Sequence, residues 1–117
     1  MGRLTTHVLD TSAGRPGSGI AITLDRLDDG GLVRLTDTVT NSDGRCDAPL
    51  LDGDAFAIGT YQLTFAAGAY FRAQGVALSD PAFLDDVVIR FGIAAADEHY
   101  HVPLLISPYS YSTYRGS

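Results

Sequence analysis

Residues His99 to Ser117 read HYHVPLLISPYSYSTYRGS, and their alternation decides the architecture. On a strand, residues two apart share a face. His99, His101, Pro103 and Leu105 therefore line one side. Tyr100, Val102, Leu104 and Ile106 line the other, whose apolar character marks it as the core side. Past the Ser107-Pro108 corner a second short segment alternates, with Ser110, Ser112 and Tyr114 on one face and Tyr109, Tyr111 and Thr113 opposite. So tight a corner predicts a hairpin. The hairpin would turn His101 and Tyr114 toward the same space outside the core. Chain ends usually fray; a packet of imidazole, hydroxyl and guanidinium groups here points to chemistry instead.

The same period of two runs through the rest of the chain. Ile20 to Asp25, Tyr61 to Phe65 and Val87 to Ile93 each alternate apolar and polar residues, which predicts half-buried strands. Weaker strands are expected over Leu4 to Asp10, Leu32 to Val39 and Cys46 to Leu50. In the first of these, His7 and Leu9 lie opposite Thr6 and Val8. Turn compositions separate the strands: Gly14-Arg15-Pro16-Gly17, Asp28-Asp29-Gly30-Gly31, Asn41-Ser42-Asp43-Gly44, Asp52-Gly53-Asp54 and Ser79-Asp80-Pro81. One stretch, Ala67 to Gln74, favours a short helix with Gly75 at its end. Many short strands with regular turns predict an all-β sandwich or barrel. Leu9, Leu105 and Tyr114 would make the outer face partly apolar, as though another subunit covered it.

The bulk numbers narrow the function. The chain has 117 residues, which suits one domain over 1–117, and 45% hydrophobic residues, enough for a core. The formal net charge of −6 argues against nucleic acid, whose phosphates demand a basic surface. No apolar run approaches the ~20 residues of a membrane helix. The opening MGRLTTHVLD lacks the apolar core of a signal peptide. Cys46 is the only cysteine, so no disulfide forms within the chain. The expected location is the cytoplasm and the expected partner a small molecule.

At this point the motifs resemble a family. The tail from His99 to Ser117 is similar to the signature of the 5-hydroxyisourate hydrolases, the transthyretin-related enzymes of purine breakdown. Thr6-His7-Val8-Leu9-Asp10-Thr11 with Gly14-Arg15-Pro16 resembles their first motif, Gly44-Arg45-Cys46 their middle motif, and Gly68-Ala69-Tyr70-Phe71 their short helix. The resemblance implies an eight-stranded transthyretin-like sandwich with one short helix. It also implies a homotetramer, a dimer of dimers, with active sites in a channel between dimers. The reaction implied is hydrolysis of 5-hydroxyisourate to 2-oxo-4-hydroxy-4-carboxy-5-ureidoimidazoline, without cofactor or metal. Transthyretin itself, a carrier, has a similar Ser-Pro-Tyr-Ser-Tyr-Ser-Thr stretch but lacks the histidines and the Tyr-Arg-Gly-Ser ending. A non-catalytic carrier and a plain β-sandwich interaction module are the alternative readings.

Opening a cyclic ureide requires a base near neutral pKa and fixed donors for the developing oxyanion. Histidine suits the first role and arginine the second. On its own, His101 reads as a surface histidine on a strand; the resemblance makes it catalytic together with His7, the two activating and placing water. Arg45 follows a turn, where arginines are usually solvated; the resemblance sets its planar fork over the substrate. It also puts the hydroxyls of Tyr114 and Ser117 in the site, with Ser117 carrying the terminal carboxylate. Substrate contacts are expected from His7, Arg45 and Tyr114. Arg115 reads as structural. His99 and His101 on one face, with His7 as a third group, would have zinc-ligand character, but no carboxylate or cysteine pair supports it. Cys46 reads as a small strand residue rather than a nucleophile.

Overall fold

The computed structural model describes residues 2–117. Nine strands lie among them: β1 (Arg3–Asp10), β2 (Arg15–Pro16), β3 (Ala21–Asp28), β4 (Gly31–Val39), β5 (Leu51–Asp52), β6 (Gly59–Phe65), β7 (Val87–Ile93), β8 (Tyr100–Ser107) and β9 (Ser110–Thr113). One helix, α1 (Ala67–Ala73), follows β6. The first sheet runs β2-β1-β8-β9, with β5 also on β1; the second runs β4-β3-β6-β7. Among these strands, only β1 and β8 pair in parallel. This is the sandwich that the alternation predicts, with the one short helix that the resemblance implies. No helix among the described residues is long and apolar enough to cross a membrane.

Alternation does what strand geometry requires of it. Leu4, Val8, Leu104 and Ile106 from the first sheet meet Ile22, Leu24, Leu63 and Phe65 from the second in one buried cluster, which supplies the main driving force for folding. The residues between them in β1 and β8, Thr5, His7, Leu9, His101 and Leu105, are half-buried on the outer face. α1 buries Tyr70 and Phe71. The Tyr70 hydroxyl donates to the buried Asp10 carboxylate at 2.8 Å, tying the helix to the end of β1. Asp10 also accepts from the Ser12 hydroxyl at 2.6 Å and from the N–H groups of Ser12 and Ala13.

Two local expectations change. Cys46 to Leu50 is not a strand; pairing with β1 begins one step later, at Leu51. Pro49 has no N–H to give to a ladder, and the segment instead attaches at single points, a His7↔Arg45 bridge and a Leu50 N–H to the Leu4 carbonyl. Arg15-Pro16, expected as part of a turn, makes a two-residue pairing with Leu9-Asp10. The Gly14 N–H closes on the Asp10 carbonyl at 2.9 Å and folds the chain back far enough to allow it.

Candidate active site

The parallel register of β1 and β8 aligns Thr5 with His101 and His7 with Pro103. All four therefore share the outer face of the first sheet. Thr5 and His101 meet directly: the Thr5 hydroxyl lies 2.8 Å from His101 Nδ1.

Arg45 reaches this face through a loop organised by Asn41. The Asn41 side-chain oxygen accepts from the N–H groups of Asp43 (2.9 Å) and Arg45 (3.1 Å), an Asx-type turn. The Asn41 N–H donates to the Arg45 carbonyl at 2.7 Å and the Gly44 N–H returns to the Asn41 carbonyl at 2.9 Å. Gly44 is buried, with φ +76°, and its carbonyl accepts from the Val8 N–H at 2.8 Å. A Cβ at Gly44 would sit 2.3 Å from the Val8 carbonyl oxygen, so only glycine lets the loop approach β1 this closely. The result is the antiparallel His7↔Arg45 bridge. His7 Nε2 lies 2.9 Å from the Asp43 carbonyl. A carbonyl only accepts, so Nε2 carries the hydrogen.

Arg3, Thr5, Arg45, His99, His101 and Ser117 line one surface depression of about 260 Å³. In a chain of net charge −6, this depression gathers two arginines and two of the three histidines. Such a wall suits a planar substrate with anionic or carbonyl oxygens. Burial, first, and the charges of Arg45 and His7, second, hold the His101 pKa below its ordinary value of 6.5. A neutral imidazole at pH 7 follows, which is the form a base requires.

Of the residues expected in the site, His101, Arg45 and Ser117 line this depression within one chain, and His7 joins them through its bridge to Arg45. Tyr114 does not line it. Tyr114 is 62% exposed and borders a separate apolar groove of about 390 Å³ with Ile89, Phe91, Tyr100 and Val102. The β8–β9 ladder lapses at Tyr114, because Pro103 stands opposite in the same register and has no N–H. Pairing resumes at His101↔Gly116. His99 is exposed just before β8. Among the described residues, no three His, Cys, Asp or Glu side chains gather to hold a metal ion. Cys46 lines a neighbouring depression with Arg3 and Thr5, and burial chiefly pushes its thiol pKa up, away from the nucleophilic thiolate.

Sequence reasoning passed over Arg3, Thr5 and Asn41. Arg3 and Thr5 alternate with core residues on β1, so their face was legible but not their neighbours. The Asn-x-Asp-Gly turn composition was the only signal for Asn41.

Comparison with known proteins agrees with this fold. Residues 4–116 match the family described as HIUase/Transthyretin. A 5-hydroxyisourate hydrolase of Pseudomonas aeruginosa is 66% identical over 117 residues, covering 100% of this chain and 93% of that protein. The crystal structure of an (S)-allantoin synthase superposes with TM-score 0.95 at 48% identity, over 99% of this chain; this chain spans 44% of that one. Sea bream transthyretin, solved in complex with thyroxine, matches with TM-score 0.87 at 28% identity, over 97% of this chain and 94% of its own. With 113 consecutive residues inside the family's pattern and the fold to match, the chain belongs to the HIUase/Transthyretin family.

Proposed function

We propose that this protein hydrolyses 5-hydroxyisourate to 2-oxo-4-hydroxy-4-carboxy-5-ureidoimidazoline in purine breakdown. The observation that carries the proposal is the depression where His101 and Arg45 face the same volume, with His7 bridged to Arg45 beside it. A carrier needs no neutral imidazole beside a guanidinium.

Water held between His7 and His101 attacks a ring carbonyl of the substrate. Its proton passes to His101, and a C–O bond forms. The tetrahedral oxyanion is met by the permanently charged Arg45 guanidinium. Collapse of the intermediate breaks the ring C–N bond, and the imidazolium returns its proton to the leaving nitrogen. One water is consumed, and the opened product carries both the new N–H and a new carboxyl group, whose proton goes to solvent. The Ser117 hydroxyl orients the water or base from the depression's rim.

Tyr114 enters from a neighbouring subunit of a homotetramer, a dimer of dimers whose interface encloses the site. The half-buried Leu9 and Leu105 and the exposed Tyr114 support a covered face. One domain carries the whole activity, and the single cysteine, unpaired, fits a reducing cytoplasm.

The test follows the absorbance of freshly made 5-hydroxyisourate. Purified protein speeds its loss above the spontaneous rate, and His101→Asn lowers turnover by about two orders of magnitude with the fold intact. No acceleration by the wild-type chain would refute the assignment.

A further inference from the structure

We infer that Thr5 and Gly116 are positioning residues that clamp the His101 imidazole from its two sides and turn its Nε2 edge toward the depression. The inference rests on the hydrolytic reading above and deepens it.

The clamp is one rung across three strands. β8 lies between β1 and β9. Thr5 is the register partner of His101 on one side, and Gly116, beyond β9, is its partner on the other. The two edges of the imidazole next to Cγ are Nδ1 and Cδ2. Nδ1 lies 2.8 Å from the Thr5 hydroxyl. Cδ2 lies against Gly116, where an added Cβ would come within 3.2 Å of it and within 3.1 Å of the His101 Cβ. Ordinary carbon contacts begin at about 3.5 Å. Any larger residue at 116 would push the ring aside. Only the far edge, Cε1 and Nε2, is left free of both neighbours.

Both jaws are stiff. Thr5 is β-branched and restricted at χ1, so its hydroxyl is a fixed partner. Gly116 is bonded to His101 in both directions, its N–H to the His101 carbonyl at 2.7 Å and its carbonyl from the His101 N–H at 3.1 Å. Arg115 pins the tail beside it. Its guanidinium stacks over the Tyr100 ring at 4.2 Å and donates to Glu98 at 2.9 Å and to the His99 carbonyl at 3.2 Å. The two residues of the tail's Arg-Gly pair thus divide the work physically, arginine as the anchor and glycine as the clearance for the ring.

A hydroxyl can accept or donate; in the clamp the Thr5 hydroxyl accepts from Nδ1–H. With Nδ1–H donating to the threonine oxygen, the lone pair of the neutral ring sits on Nε2, the edge that faces outward. The opposite assignment would put a hydrogen on Nε2 and leave no base there. The charged and titratable groups around the ring are Arg3 and His7 from β1, Arg45 from its loop, and His99 just before β8. None of them is altered by changing Thr5 or Gly116.

The test uses the full chain labelled with ¹⁵N. In the wild type, the His101 ring shows N–H character at Nδ1 and a bare nitrogen at Nε2. Thr5→Val shifts the proton toward Nε2 and lowers kcat about tenfold or more, with KM within about twofold. Thr5→Ser keeps the wild-type tautomer and restores most of the rate, which separates loss of the hydroxyl from loss of the fold. Gly116→Ala keeps the Nδ1–H signal but lowers kcat by a similar factor through ring displacement. A wild-type ring protonated on Nε2, or a Thr5→Val protein with unchanged tautomer and full kcat, would overturn the clamp. A wild-type protein with the Nδ1–H signature but no turnover would instead sink the hydrolytic reading and leave the ring geometry standing.

Discussion

Gly44→Ala is the sharpest test of how the loop delivers Arg45. Two costs add. Alanine at φ +76° occupies the left-handed region at about 1–2 kcal/mol. Its Cβ would then stand 2.3 Å from the Val8 carbonyl oxygen and 3.1 Å from the Pro16 ring. Backbone oxygen cannot step aside as a flexible side chain can, so the loop must lift. Lifting breaks the 2.8 Å bond from the Val8 N–H to the Gly44 carbonyl, worth about 1 kcal/mol and more if the N–H is left dry. The expected loss is about 2–4 kcal/mol, or roughly 8–16 °C in melting temperature for a domain of this size. Arg45, the next residue, moves with the loop, and a displacement near 1 Å costs about a hundredfold in rate. Urea unfolding and the 5-hydroxyisourate assay read the two effects separately. Gly30→Ala is the control: its Cβ meets nothing within 4 Å, and stability should stay within about 0.5 kcal/mol. A Gly44→Ala protein that melts with the wild type and turns over at full rate would refute both the close approach and its role.

The remaining predictions concern charge, the helix tether and assembly. The acid limb of kcat/KM falls below 6.5, because burial, then Arg45 and His7, lower the His101 pKa; Arg45→Gln moves the limb upward while lowering the rate, and a wild-type limb at or above 6.5 would contradict the assignment. The same shift gives the fold a contribution that is complete above that ordinary value and is lost as pH falls through the lowered one. Asp10→Asn costs about 1.5–3 kcal/mol in urea unfolding, since a carboxylate serving Ser12, Ala13 and Tyr70 gives way to an amide with one acceptor oxygen. Burial opposes ionisation of Asp10, but the Ser12 and Tyr70 hydroxyls and the Ala13 and Ser12 N–H groups outweigh it and hold its pKa below 3.8. That stability is therefore present above 3.8 and lost as acid carries the pH below it; equal stability of Asp10→Asn and wild type at pH 7 would show that the network contributes nothing. Sedimentation velocity should give four times the 12.4 kDa chain mass; a stable, active monomer would remove the subunit interface from the site.

Much of the sandwich was readable because each strand must hide one face, and hiding alternate residues writes a period of two into the chain. Val87–Ile93 appears with the bounds its alternation predicts, and the burial of Thr6 and Val8 opposite the outer-face His7 follows from the same rule. The rule fails where pairing is not continuous. Cys46 to Leu50 has strand-like residues but attaches by single bonds around Pro49. Strand geometry alone turns Tyr114 toward the same space as His101, whereas Pro103 interrupts the ladder opposite it and Tyr114 borders another groove. The site was legible through its motifs rather than its chemistry: nothing in a turn sequence distinguishes Arg45 from a solvated arginine.

What the amino-acid order determined alone is local: which segments extend, which face each one buries, where the turns fall and where titratable groups concentrate. These depend on side-chain solvation and backbone preference over a few residues. Only tertiary structure decided that Thr5 touches His101 across 96 positions, that Asn41 and Gly44 bring Arg45 onto β1, and that Gly116 leaves room for an imidazole. Those contacts depend on register between distant strands and on clearances of a few tenths of an ångström, and neither is set until the two sheets have packed.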